Sequence, residues 1–383
     1  MVRSFFYRLM NKHSWLQLVL LFLVQGLLFL SCTACENLFS AKKPPTHFRL
    51  ASWNLQAFFD GQEAGAEYAD FKAKASWNEV GYKNRLQLVT EALSRWPEPQ
   101  TRGEQPGPDI IALLEVENAA VLQDLRTGPF ARFQYAYSAF STNSGSPLGL
   151  GILSRFPILS TRSHSLQTAS YSTPRPMLEA EIELPGERLF LFVCHWKSKL
   201  GGSSEETEVL RRSSAELLTR RLHELNQEHP DTQPLVLVVG DLNENVDEFE
   251  RQGARYLTAL MPADRAAETF PEADTEPCPF INISGTPLDA SLPAAGALTL
   301  YSPWYQSAWP GSYAYQDNWE TIDHILMAPA FFNGTGWEYG GFSVWDQSPF
   351  INEGGYPNSF NPRTGTGVSD HLPIMADFYQ LQR

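Results

Sequence analysis

Several apolar runs in this 383-residue chain end on a carboxylate, an amide or an imidazole. Asn54 follows LASW, Glu115 follows IIALL, His195 follows FLFVC, and Asp241 and Asn243 follow LVLVVG. Asp323 and His324 sit in TIDHILM, and Asp370 and His371 in SDHLPIM. Taken singly, each has a bland reading. Asp-Leu-Asn after a strand is commonly a turn or helix cap. Glu115 or Glu117 could be a solvated strand end, and a lone His195 a satisfied histidine. In Asp-His-Leu-Pro, Pro373 fixes the backbone just after two reactive side chains. Together they are harder to explain as packing, because an apolar run needs no such ending in order to fold. Polar groups at strand ends can converge on one rim of a sheet.

The elements that must position them read as α/β. FRLASWNL, DIIALLEV, LGLGILS, RLFLFVCHW and PLVLVVGDL are apolar runs of strand length. MLEAEIEL alternates: Leu178, Ala180, Ile182 and Leu184 would face one way, with Glu179, Glu181 and Glu183 on a wet face. A helix is predicted over 79–96, with Leu86, Val89 and Leu93 on one stripe, and a second over 205–226. Ser203 and Glu206 form a capping box at the start of the second. Residues 265–310 are rich in Pro and Ala and read as long irregular loops. Strands and helices alternate only in part. By composition alone, two packed sheets with helices outside and one doubly wound sheet are both acceptable.

In their order, these pieces resemble the endonuclease/exonuclease/phosphatase superfamily, the Mg²⁺-dependent phosphodiesterases that include DNase I and exonuclease III. SWNLQAFFD, PDIIALLEVEN, LSRFPI, VCHWKSK, VVGDLNEN, IDHILM and SDHLPI carry the resemblance, which spans residues 50–373. HWKSK, EVEN and GDLNE look most like the secreted bacterial nuclease-like branch. The resemblance implies a four-layer α/β/β/α sandwich: two packed mixed β-sheets flanked by helices, with the active site at one sheet rim. It implies Glu115 as the main Mg²⁺ ligand, with Asn54 and Asp370 nearby and Mn²⁺ as the alternative ion. Asp241 would align or deprotonate the attacking water, and Asn243 would hold the scissile phosphate. The i, i+2 spacing would send both to the same side of an extended chain. His371, paired with Asp323 and kept cationic by it, would act as proton donor or electrostatic clamp. His195 would contact the phosphate or the leaving oxygen, and Arg175 and Lys197 would bind substrate.

Some residues depart from the family pattern. Leu114 stands where Gln is common before the metal-binding Glu. Glu117, two residues on, competes with Glu115, and Tyr171 could share the role of Arg175. Lys199 could touch phosphate as Lys197 does, or both could be solvated. Trp304, Trp309, Tyr313, Tyr315 and Trp319 could stack bases or pack a long loop.

The amino-terminal segment has Arg3, Arg8 and Lys12, then an uncharged stretch from Ser14 to Ser31, then Cys32 and Cys35. That is the order of a secretory signal over 1–31, of lipoprotein type, followed by a tether over 32–46 and a catalytic domain over 47–381. The stretch is short for a membrane span. Cys194 and Cys278 are the other two cysteines, too few for a disulfide framework, and one bridge between them is an open alternative. A formal net charge of -14, made more negative by loss of the signal's cations, argues against broad electrostatic capture of nucleic acid. It leaves room for a local cationic cleft. The expectation is an exported, envelope-bound or secreted nuclease whose partner is a phosphodiester, with a lipid anchor as its membrane contact and no protein partner. A phospholipid-headgroup or inositol-phosphate hydrolase is the alternative. A surface lipoprotein keeping the fold as a non-catalytic binding scaffold ranks third.

Overall fold

Alternate residues of the apolar runs go to different cores, which is why the runs carry no polar break. In β7 (Glu187–His195), Leu189, Leu191 and Val193 join the main core, whereas Phe190, Phe192 and Cys194 join a second one. In β8 (Leu235–Asp241), Leu235, Leu237 and Val239 divide from Val236 and Val238 in the same way. A strand covered on both faces reads as a continuous apolar run.

The computed structural model describes residues 46–96, 105–165, 175–265, 278–287 and 298–381. The expected signal and all but the last residue of the tether lie outside them, as does Tyr171. One mixed sheet is built from β1 (His47–Phe58), β2 (Ile110–Val116), β3 (Tyr137–Ser141), β4 (Gly149–Ser154), β15 (Trp337–Val344) and β16 (Ile374–Gln380), in the order β15-β16-β1-β2-β4-β3. The other contains β5 (Ile158–His164), β6 (Met177–Leu184), β7, β8, β9 (Leu260–Pro262), β10 (Ile281–Ser284), β11 (Thr299–Tyr301) and β14 (Asp323–Met327). Its order is β5-β6-β7-β8-β14-β11-β10-β9. A separate hairpin joins β12 (Tyr313–Tyr315) to β13 (Asn318–Glu320).

The sheets pack face to face and helices cover them. On α1 (Glu79–Ser94), Val89, Ala92 and Leu93 are buried, and on α2 (Ala119–Thr127), Val121, Leu122 and Leu125. All six belong to the main core, which also contains both sheets' inner residues. Ala215, Leu218, Leu222 and Leu225 of α3 (Ser204–Glu228) share the second core with the outer face of β7 and β8. The expected boundaries hold to within two residues. Asn78 and Asn118 cap the first two helices, and the Ser203/Glu206 capping box opens the third. The fold is α/β, with two packed mixed β-sheets flanked by helices, as the sequence implied.

Two local expectations fail, and one open alternative is decided. The 265–310 segment is not all loop, because β10 and β11 connect β14 to the edge strand β9 in the eight-stranded sheet. Strands of three or four residues are too short to show a period. The polar face of β6 is not wet throughout: Glu179 is buried, with Arg221 of α3 donating to it at 2.8 and 3.0 Å and His164 bonded to it at 2.6 Å. Cys194 and Cys278 are free thiols in separate cores, not a bridge.

Candidate active site

Register does the first assembling. β7 pairs with β8 so that His195 is opposite Asp241, and β14 pairs with β8 so that Asp323 is opposite Asp241 on the other side. The three side chains follow Val193, Val239 and Ile325 in parity, so all point into the layer between the sheets. Gly240 makes the close approach possible. Its φ is +130°, and a Cβ there would lie 2.0 Å from the carbonyl oxygen of Cys194.

Asp241 is the hub. Its Oδ2 accepts from Asn54 Nδ2 at 3.1 Å, and it lies 3.5 Å from His195 Nε2 and 3.9 Å from His371 Nε2. Its Oδ1 accepts the Asn243 N–H at 3.0 Å. Burial pushes its pKa up to about 7, with His371 pulling down and Asp323 pushing up. Asp241 and Asn243 do not meet by extended-chain parity. The strand ends at Asp241, Asn243 turns left-handed (φ +52°), and the carboxylate closes the turn on its N–H.

The Asp323–His371 pair forms, with Nδ1 2.8 Å from Oδ2. Burial opposes the imidazolium, but Asp323 and Asp370 outweigh it and hold the His371 pKa well above the usual value. The pair is supported on every side. Ser312 donates to Asp323 at 2.6 Å, and Trp304 Nε1 donates to its backbone carbonyl at 2.7 Å. Trp53 Nε1 donates to the carbonyl of His371 at 3.0 Å, and the Tyr313 ring lies 4.6 Å from the imidazole. The Ser369 hydroxyl donates to the Asn54 carbonyl and accepts the His371 N–H. His195 is the opposite case. Burial, with Arg175 and His371 nearby, holds its pKa well below normal, so it is neutral.

Glu115 is aimed by a break in β2. The pairing of β2 with β1 and with β4 shifts on either side of it, and its φ is +60°. A bulge of this kind re-aims a side chain at a strand end. Its Oε2 accepts the Ala57 N–H at 2.5 Å, and its Oε1 lies 3.6 Å from His195 Nε2. Glu117 bonds instead to the Asp60 N–H at 2.6 Å, on the far side of that break.

The donors suit a small divalent cation. Asp370 Oδ1 is buried with no hydrogen-bond partner, and burial raises its pKa to about 6 despite His371. Asn54 Oδ1 accepts one N–H, from Gln56, and keeps a second lone pair. Glu115, Asn54 and Asp370 thus offer hard oxygens, as Mg²⁺ requires. Asp241, Asp323 and His371 also bring ligand atoms within 4.8 Å of one another and could hold an ion. There, however, Nδ1 is taken by Asp323 and the ring is cationic, which suits proton transfer better than ligation.

Arg175 is brought in. Its guanidinium and the Asn243 amide both donate to the Trp196 carbonyl, at 3.0 and 3.2 Å. Lys197 is not joined to the cluster by any described contact. Its ammonium donates to the carbonyls of Ser198 and Leu200 at 2.7 and 2.5 Å, closing its own loop. Lys199 is paired with Glu248 and Glu320. Of the aromatic stretch, Trp304 is core, Trp309 and Trp319 are partly buried, and Tyr315 is exposed. Sequence reasoning missed Tyr68, an exposed residue within electrostatic reach of Glu115 and Arg175. It also missed Ser312 and Ser369. No local pattern marks the first, but Ser369 stands one residue before Asp370 in a motif already singled out.

A family model described as "Endonuclease/Exonuclease/phosphatase family" matches residues 49–268. No curated protein matches the chain. Among solved structures the chain is similar to truncated Caenorhabditis elegans TDP2, at 14% identity and a TM-score of 0.48, covering 87% of this chain and 97% of that one. It is similar to the human Nocturnin catalytic domain with bound sulfate anion at 17% identity and 0.49, covering 88% and 99%. Sphingomyelinase C from Streptomyces griseocarneus gives 14% and 0.45, covering 87% and 99%. None of these likenesses assigns a substrate.

Proposed function

This chain belongs to the endonuclease/exonuclease/phosphatase family, and on that premise we propose that it is an exported, Mg²⁺-dependent nuclease. The family's hydrolases cut phosphate esters with divalent-metal assistance. The observation that carries a hydrolytic reading is the placement of Asp241, with its pKa near 7, between neutral His195 and the His371 imidazolium that Asp323 holds. Export is taken from the Arg3–Ser31 segment, with anchoring through Cys32 or Cys35.

In this reading Glu115, Asp370 and Asn54 hold the Mg²⁺, which when bound supplies Lewis-acid neutralisation of phosphate charge. Asp241 accepts the proton of the attacking water, and a base tuned this close to neutrality is matched to that task. His371 keeps an Nε2–H directed into the cluster, because Asp323 occupies Nδ1. It can neutralise phosphate charge or protonate the leaving oxygen. Asn243 and Arg175, tied to one carbonyl, address the phosphate from the β7 side. The Tyr313 ring lies against His371, and Tyr315, two residues along the same hairpin strand, is exposed and offers a face on which a base can stack. That hairpin favours nucleic acid, DNA or RNA, over a lipid headgroup.

The test is nicking of supercoiled plasmid and cleavage of single-stranded RNA with Mg²⁺ or EDTA, beside Asp241→Asn and His371→Ala. Cleavage by the wild type in Mg²⁺ alone supports the reading. A wild type inert on both, yet active on a phospholipid headgroup or inositol phosphate, replaces the substrate and keeps the site. Equal cleavage by the variants refutes the site.

A further inference from the structure

Arg85 of α1 is fully buried and makes no ion pair among the described residues. Burying a cation without an anion is costly unless its donors are satisfied. Here the acceptors for its two terminal nitrogens are consecutive backbone carbonyls, Leu55 and Gln56 at 2.5 Å and Ala57 at 2.8 Å, while Nε has no partner. The guanidinium lies between the rings of Phe58 and Phe360, 4.3 and 4.1 Å from their centroids. Burial lowers its pKa only to about 9, so it stays charged at neutrality.

The three carbonyls belong to a turn that side-chain-bearing residues rarely adopt, with φ +56° at Gln56 and +51° at Ala57. The N–H groups of those two residues aim the metal-side donors. Gln56 N–H donates to Asn54 Oδ1 at 2.9 Å and Ala57 N–H to Glu115 Oε2 at 2.5 Å. The Gln56 side chain is tied to both backbone groups of Phe360, closing the turn from outside. We propose that Arg85 is a positioning residue: by gathering these carbonyls it holds the left-handed turn whose N–H groups fix Asn54 and Glu115 for divalent-metal binding. The inference rests on the reading of Asn54 and Glu115 as metal-holding residues. Ligand-orienting groups of this kind typically govern about 10–100-fold in metal affinity.

The experiment is calorimetric titration of the full chain with Mn²⁺ alone, without substrate. Arg85→Lys keeps the charge but cannot reach three carbonyls, and is expected to bind Mn²⁺ about 10-fold more weakly or worse. Adding Ala57→Gly should recover about fivefold, because glycine takes the left-handed turn without steric cost. Arg221→Lys, a control at another buried arginine, should bind as the wild type does. Phe360→Leu removes one face of the sandwich and leaves Arg85 in place. It should weaken binding about threefold, and keeps the test open should Arg85→Lys not fold. If Glu115→Gln loses Mn²⁺ while Arg85→Lys and Phe360→Leu do not, the inference fails alone. Weakening that Ala57→Gly does not relieve would mark general core damage and also overturn it. Wild-type affinity in Glu115→Gln would remove the metal reading and the inference together.

Discussion

At the seam between α3 and β6, Glu179 is buried against Arg221 and His164. Burial opposes its charge, but these partners draw its pKa down to about 2. At the rim, Asp241 is buried too, and its pKa climbs to about 7, while Asp370 reaches about 6. Glu179 and Asp241 are both carboxylates shut away from solvent. The difference is whether the fold supplies the counter-charge. The seam brings its own arginine, and Glu228 shares that arginine at 2.9 Å. The rim brings more carboxylates than cations, with Glu115, Asp241, Asp323 and Asp370 around His371 and Arg175. A seam of the first kind stabilises the fold. A rim of the second kind has an electrostatic deficit that a cation from solution would relieve.

The contrast can be broken most severely through catalysis. Asp241→Asn should lower phosphodiester hydrolysis by about 10²–10⁴-fold, whereas Arg221→Met, once folded, should leave kcat near wild type. Stability should rank them the other way. Arg221→Met leaves buried Glu179 with His164 as its one remaining described partner and should cost about 3 kcal/mol in urea melts, while metal-free Asp241→Asn should equal or exceed wild type. Mg²⁺ at a hundredfold excess over its Kd should then stabilise wild type by about 2.7 kcal/mol. Glu115→Gln should show almost none of that gain, and the Arg221→Met deficit should persist in full.

The pH dependence sharpens the comparison because the two shifts have opposite sign. Asp241 is raised above its unfolded value of 3.8. Its contribution is intact below that value and is lost as pH rises to about 7. Glu179 is depressed below 4.5. Its contribution is present above that value and is lost as pH falls toward about 2. Metal-free melts should show Asp241→Asn gaining on wild type by a few degrees at about pH 8 and not at about pH 4. Glu179→Gln should trail wild type at neutrality and converge with it in acid. The smallest effect belongs to Lys197→Met: with the ammonium committed to its own loop, KM should move by no more than about twofold.

Most of the rim could be read in advance because period-2 alternation is written in the residues. Val193 and His195 share a face, as do Val239 and Asp241, and the register needed only the strands to pair. The position of Asn243 was anticipated, but not how it gets there, since a left-handed turn leaves no periodic trace. Glu115 depends on a bulge that no pattern announces, so that it lies beside His195 while Glu117 turns to the Asp60 N–H could not be read in advance. Arg85 carried no signal of its own in the sequence. A buried arginine bonded to backbone carbonyls is invisible to sequence, because carbonyls have no letter. Glu179 was misjudged for a related reason, since alternation predicts a side but not whether a helix will cover it.

Two indoles grip the backbone of the Asp323–His371 pair, Trp304 at the carbonyl of Asp323 and Trp53 at that of His371. The chain has ten tryptophans, so selective ¹⁵N-indole labelling yields a spectrum simple enough to assign by single substitutions. An indole N–H resonance moves with the length of its hydrogen bond. These two signals therefore act as a resident gauge of where the Asp–His pair sits, readable without touching either member of it.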